Sequence, residues 1–144
     1  LPAKILYNNN MIAPINSDTF ITEIIIIDNN YEGKYVTTFI INKKEANISL
    51  SDLKQTYNGN NIQATINTTP ANLSYTITYN RDSIPPINAG TYNVDVTIVD
   101  SNYYGTTNAT MTIEKASASI KLSNLHHIYD GTSTMTCKAF LPKD

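Results

Sequence analysis

Apolar and polar residues alternate with a period of two over several short stretches of the chain. The clearest is Tyr92 to Ile98, where Tyr92, Val94, Val96 and Ile98 alternate with Asn93, Asp95 and Thr97. One set faces a core, and the other faces solvent or a neighbour. The same signal predicts strands at Ile48 and Leu50, at Ile62, Ala64 and Ile66, at Tyr75 to Tyr79, and from about Asn108 to Ile113. Turn residues punctuate them. Tyr57-Asn58-Gly59 predicts a tight hairpin of type I′, whose two central residues need positive φ, and Asp130-Gly131 supplies the same chemistry later. Pro70-Ala71-Asn72 ends the second strand, Ile84-Pro85-Pro86 reads as an extended loop or edge, and Asp100-Ser101-Asn102 ends the long strand. One run departs from alternation. Ile24 to Ile27 puts apolar residues on both faces of a strand, which a two-sheet module with one exposed side cannot bury, so it is the candidate interface.

The pattern repeats. Shifting the sequence by 72 residues aligns Tyr7 with Tyr79, Pro14 with Pro86, Ile15-Asn16 with Ile87-Asn88, Asp28 with Asp100 and Asn30-Tyr31 with Asn102-Tyr103, without a gap. The same shift carries Gly33 onto Gly105, Ile41 onto Ile113, Lys43 onto Lys115, Ala46 onto Ala118, and Tyr57 and Gly59 onto Tyr129 and Gly131. About a third of the paired positions are identical. Residues 1–45 therefore read as the later part of a module, 46–117 as a complete module, and 118–144 as the opening part of the next, with Glu114-Lys115-Ala116 as the bridge. Pro142-Lys143-Asp144 followed by Leu1 corresponds to Pro70-Ala71-Asn72 followed by Leu73, so a second copy placed head to tail continues the array in register.

Composition supports strands. Ile, Thr and Asn each occur 19 or 20 times among the 144 residues, and charged residues make up 15%, against about 25% in an ordinary soluble domain. β-branched side chains fit a pleated surface, and Asn tolerates left-handed turn positions. Several short strands in a unit of this length describe a small antiparallel sandwich that gains stability from its neighbours. A net charge of −2 with no basic cluster excludes nucleic acid as a partner. The longest apolar run, Ile24 to Ile27, is far short of the roughly 18 residues of a transmembrane helix. No N-terminal secretion signal is evident, so the chain is expected to be soluble and need not be the whole gene product.

Asn88-Ala89-Gly90-Thr91-Tyr92 is similar to the tyrosine corner of Ig-type folds, in which the phenol bonds to upstream backbone. The first copy has Asn16-Ser17-Asp18-Thr19-Phe20 instead and lacks both the Gly and the hydroxyl. Taken together, L-x-x-x-Y-[ND]-G, P-x-N-A-G-T-Y, D-x-N-Y-x-G and a closing I-x-K-A resemble the MBG and YDG families of Ig-like repeats in large bacterial surface proteins and adhesins. The resemblance covers Ala46 to Ala118 fully and both flanks in part. It implies extracellular, tandem spacer or adhesive modules on a cell surface, and no catalytic residues.

A search for chemistry agrees with that expectation. His126 and His127 are adjacent, so in a strand they point to opposite faces and cannot share a metal. Asp28 and Asp100, each followed closely by Asn, read as turn caps, with calcium as the lesser alternative. Lys43 and Lys115 follow a last strand and are expected to be solvated; a Lys–Asn cross-link would need burial beside an acid. Cys137 cannot form an intrachain disulfide, being the sole cysteine, and reads as a small buried residue. Sequons begin at Asn47, Asn67, Asn72 and Asn108, as expected by chance in so Asn- and Thr-rich a chain. Tyr31, Tyr57, Tyr92, Tyr103 and Tyr129 hold repeat-equivalent or corner positions, which favours structural duty over glycan stacking.

The expected fold is all-β, with tandem Ig-like antiparallel β-sandwich modules repeating at about 72 residues. The expected function is a structural or adhesive module of an extracellular stalk, fibre or adhesin, with no enzyme activity, no cofactor, and no catalytic or metal site. Its expected partners are other copies of itself or adjacent Ig-like repeats, with a surface glycan or protein as a further candidate. If the ends are natural, residues 118–144 of one molecule complete residues 1–45 of the next by strand donation. The alternative is a carbohydrate- or protein-binding module displayed among Ig-like spacers, with copy-to-copy differences concentrated in loops at one end.

Overall fold

Alternation becomes pleat in the long strands, where every second side chain is driven inward. A computed structural model describes residues 1–123, 126, 128, 129, 131 and 136–140. Among them there is no helix, and thirteen strands account for the regular structure: β1 (Ala3–Tyr7), β2 (Asp18–Ile26), β3 (Lys34–Ile41), β4 (Lys44–Glu45), β5 (Asn47–Ser51), β6 (Lys54–Thr56), β7 (Thr65–Thr69), β8 (Tyr75–Tyr79), β9 (Gly90–Ile98), β10 (Tyr103–Tyr104), β11 (Thr106–Glu114), β12 (Ser119–Ser123) and β13 (Thr136–Phe140). They form a β1-β2-β3 sheet, a four-stranded β6-β11-β9-β8 sheet, and the pairs β5-β7, β4-β10 and β12-β13. Among the described residues no sheet closes into a barrel. Most neighbours are antiparallel, but β6 joins β11 in parallel and β4 joins β10 in parallel, so the expected wholly antiparallel arrangement is corrected at these two edges.

The core lies between β5-β7 and the four-stranded sheet. Val94 and Met111 are fully buried, and Val96 and Ile113 nearly so. Ile62 and Ala64 reach the same cluster from the segment leading into β7, with Ile48, Leu50 and Ile66 packed against it. Tyr79 ties the layers together: it is buried, and the Ala64 N–H donates to its phenol oxygen at 3.2 Å. Burial pushes the Tyr79 phenol above its usual pKa range, the Ala64 hydrogen bond opposes the rise, and nearby Tyr75 adds to it.

Two turns differ from expectation. Asn58-Gly59 does not make a two-residue hairpin, because only Gly59 takes positive φ, at 83°, and the flanking strands β6 and β7 belong to different sheets. Asn58 instead caps its own loop, its Oδ1 accepting from Asn60 N at 2.9 Å. The tight hairpins lie elsewhere. Asn80 and Arg81 have φ of 50° and 73°, and Tyr79 and Asp82 exchange two backbone hydrogen bonds of 2.7 and 3.0 Å around them. Asn8 and Asn9, at 48° and 65°, do the same between Tyr7 and Asn10. Both central residues are left-handed, as a type I′ hairpin requires.

The Asp130-Gly131 signal falls only half within the described residues: Gly131 has φ of 79°, and Asp130 lies outside them. His127 also lies outside them. His126 is exposed and follows the end of β12, so the expected strand does not extend to it. The register of β12-β13 also differs by one residue from that of β5-β7. Leu50 pairs with Ile66, whereas Leu122 pairs with Cys137 and not with Lys138, the residue 72 beyond Ile66. Apolar residues in the sequence shift phase here to Met135, Cys137 and Ala139, and register follows the apolar pattern.

The β1-β2-β3 sheet has no covering layer among the described residues. Ile5, Ile24, Tyr35 and Phe39 share one face and are all exposed, Phe39 at 43%. Phe39 on β3 and Tyr7 on β1 lie two strands apart, roughly 9.6 Å at ordinary spacing, yet their ring centroids approach to 5.8 Å edge to face. They lean across the small Thr22 on β2, which is buried with its Oγ1 unpartnered. This self-covering is partial. Met111→Ala should therefore cost about 2–5 kcal/mol, and Phe39→Ala less than about 1.5 kcal/mol because nearly half its surface is already wet. Urea unfolding of the two variants measures the difference, and equal costs would contradict the one-layer description.

Candidate functional site

Two surfaces carry the candidate function: the open face just described and the junction between residues 1–45 and 46–117. The junction is built around a turn. Asp100 Oδ1 accepts from Asn102 N at 2.7 Å and Tyr103 N at 3.0 Å, which fixes the loop between β9 and β10. This is the capping role expected of Asp100. Against this loop runs the segment leaving β3: Lys44 N donates to Asn102 O and Ala46 N to Tyr104 O, each at 2.8 Å, extending the parallel β4-β10 pair.

Side chains complete the contact. Lys43 Nζ donates to the Asp100 carbonyl at 2.6 Å. Asn102 makes two bonds to the β1-β2 connection, its Nδ2 donating to Asn16 Oδ1 at 3.1 Å and its Oδ1 accepting from Ser17 N at 2.8 Å. Gly105 is required by space and not by φ, since a Cβ there would lie 2.8 Å from the Ala46 carbonyl oxygen. The junction thus brings together Lys43 and Asp100, which sequence reading treated as unrelated. Lys43 is exposed and bonded to a carbonyl, which is not the buried Lys–Asn–acid arrangement of an internal cross-link.

Each junction residue on the turn side has a counterpart 72 positions earlier. Asp28 Oδ1 accepts from Asn30 N at 2.8 Å and Tyr31 N at 3.1 Å, the same cap with nearly the same distances. No described segment lies along that turn, and Tyr31 is 62% exposed while Tyr103 is half-buried. The corner also behaves as the sequence predicts in the complete copy, with the Tyr92 phenol donating to Asn88 O at 2.8 Å. A Cβ at position 90 would sit 3.3 Å from that phenol oxygen, hence the Gly. Phe20, lacking the hydroxyl, packs on Phe39 with ring centroids 6.4 Å apart.

The tyrosines expected to serve structure differ in exposure. The side chains of Tyr31, Tyr57 and Tyr129 are exposed, although Tyr31 N donates to Asp28 Oδ1 and Tyr57 N to Glu114 O, whereas Tyr92 and Tyr103 are half-buried and the Tyr92 phenol is hydrogen-bonded. Cys137 lies in β13, and its side chain is outside the described residues. An open cleft of about 660 Å³ is lined by Tyr7, Asn10, Pro14, Asn16, Phe20 and Ser101 among others. Among the described residues no group of three or more His, Cys, Asp and Glu side chains comes together, and no helix is long and apolar enough to cross a membrane.

A family model described as the MBG domain matches residues 1–45 and 46–117. The chain belongs to the MBG domain family. No curated protein and no solved structure matches it. MBG domains are repeat modules of surface proteins. The MBG junction owes its close approach to Gly105, and this yields a contrast with Gly33, where an added Cβ would meet only the flexible end of Ile26 at 2.9 Å. Gly105→Ala should speed tryptic cleavage after Lys44 by about fivefold or more, as loss of roughly 1 kcal/mol of local order implies, while Gly33→Ala leaves it unchanged. Equal rates for both variants would show that the segment is not held by this turn.

Proposed function

We propose that the chain is a stretch of a head-to-tail array of Ig-like β-sandwich modules, about 72 residues each, that builds an extracellular stalk, fibre or adhesin shaft. Its work is structural and adhesive, not catalytic. In this array the open face of β1-β2-β3 is closed by the opening strands of a neighbouring module, as β5-β7 closes the face of β8-β9-β11.

The observation that carries the reading is the match between an open face and a buried one. Tyr7 pairs with Thr22 and Phe20 with Phe39, while Tyr79 pairs with Val94 and Tyr92 with Met111. Asn8 Oδ1 accepts from Ile21 N and Asn80 Oδ1 from Asn93 N, both at 2.8 Å. Val96 and Met111 are buried under β5-β7, whereas Ile24 and Phe39, 72 positions earlier, are 36% and 43% exposed. The complementary half is also open. Ile120 and Leu122 on β12, counterparts of the packed Ile48 and Leu50, are 72% and 50% exposed. An open layer on each side, of matching kind, is what an array closes at every step.

The second reading, a carbohydrate- or protein-binding module, draws support from the cleft at Tyr7 and Phe20. Both side chains belong to the face that the array would cover, so a ligand there would compete with assembly. Titration with an apolar fluorescent dye tests the leading reading. Two full copies joined from residue 144 to residue 1 should bind about as much dye per molecule as a single chain, because joining closes one open face and one open β12-β13 pair. A doubling of bound dye would contradict completion of the sandwich.

A further inference from the structure

The turn at Asp28–Gly33 repeats the turn that holds the linker at the first junction, and no described segment lies along it. We infer that this turn is a docking site for the Lys115–Ala118 segment of a second copy of the chain, and so fixes the angle between successive modules. The inference rests on the array proposed above and adds to it a specific contact at each module boundary.

Both halves of the contact are duplicated. On the turn side, Asp28, Asn30, Tyr31 and Gly33 repeat Asp100, Asn102, Tyr103 and Gly105, and the two aspartates cap their turns alike. On the linker side, Asn88, Lys115 and Ala118 repeat Asn16, Lys43 and Ala46. Carrying the observed bonds across places Ala116 N on Asn30 O, Ala118 N on Glu32 O, the Lys115 ammonium on the Asp28 carbonyl, and the Asn30 amide on Asn88. The backbone of residues 116 and 118 is free of proline and able to donate both bonds.

Gly33 supplies an independent argument. At Gly105 the absence of a side chain is demanded by the linker backbone at Ala46. At Gly33 no backbone lies within reach, and an added Cβ would meet only the movable Ile26 Cδ1. The need for glycine arises there once a linker occupies the turn. The occupant is not this copy's own Lys115, because at the occupied junction each turn faces the segment that precedes its module, and Lys115 follows. The contact is heterologous, so it recurs at every step of a head-to-tail array.

The test uses two full copies joined from residue 144 to residue 1, with Cys137→Ser in both. Ser17→Cys and Ser101→Cys in the first copy report the known junction, since these residues line one cleft and Ser17 contributes only its backbone N–H. Ala89→Cys in the first copy and Asn29→Cys in the second report the proposed one. A short bis-maleimide should link both pairs to similar yield, read by mass spectrometry, and Gly33→Ala in the second copy should lower the second yield about tenfold while sparing the first. A second yield no higher than that of a distant pair, or one untouched by Gly33→Ala, overturns the docking site. Dye binding on the same protein separates the two ideas: a closed face without cross-linking overturns docking alone, whereas a doubled dye signal without cross-linking overturns both. Cross-linking that responds to Gly33→Ala with a doubled dye signal supports docking and overturns completion of the sandwich.

Discussion

A β-sheet with one apolar face needs a second layer, and the packing of this chain follows from how that need is met. At roughly 25 cal/mol per Å² of apolar surface, a sheet of three strands left open forfeits several kcal/mol that a covered one gains. Between residues 46 and 117 the requirement is satisfied internally: β5-β7 lies over Val94, Val96, Met111 and Ile113, and the Tyr79 phenol bonds across the layers to Ala64. Between residues 1 and 45 it is met, among the described residues, only by the leaning of Tyr7 and Phe39 over Thr22. Among the described residues the same strand pairing thus occurs once with a covering layer and once without one.

The junction answers a different requirement. Joining modules through a short linker does not fix their relative orientation, but a linker that adds itself as a parallel strand and is clamped by two side chains does. Lys43 and Asn102 reach across from opposite sides of the boundary, and Gly105 lets the backbones meet. These bonds are largely exposed and individually weak, about 1 kcal/mol each. Their effect is directional: together they select one arrangement among many that the linker alone would permit. The two segments are thus oriented without a large interface at their boundary.

Much of this was legible in the sequence, and the parts that were not have identifiable causes. β9 and β11 were readable because a strand with one buried face writes its period directly, as Tyr92, Val94, Val96 and Ile98 do. The caps at Asp28 and Asp100 were readable because Asx chemistry is local. The I′ hairpins at Asn8-Asn9 and Asn80-Arg81 were missed because neither contains glycine; the Asn-Asn pair was the available signal, and Arg81 gave none. Asn58-Gly59 misled for the converse reason, since its turn joins strands of different sheets. β6 was invisible because three residues carry no period. The junction lay partly in view as repeat identities at Asn16, Lys43, Asp100 and Asn102, but contacts 57 to 86 residues apart have no local signature.

The most direct measurement is methyl–methyl NOE spectroscopy on two full copies joined head to tail, with isoleucine and leucine methyls labelled. If the open sheet is one layer of a shared sandwich, the Ile24 methyls of the second copy will show cross-peaks to Leu122 of the first, absent from a single chain in dilute solution. If Ile24 keeps the chemical shifts of the single chain and shows no such cross-peak, the face is not completed by a neighbouring module and the account fails at its centre.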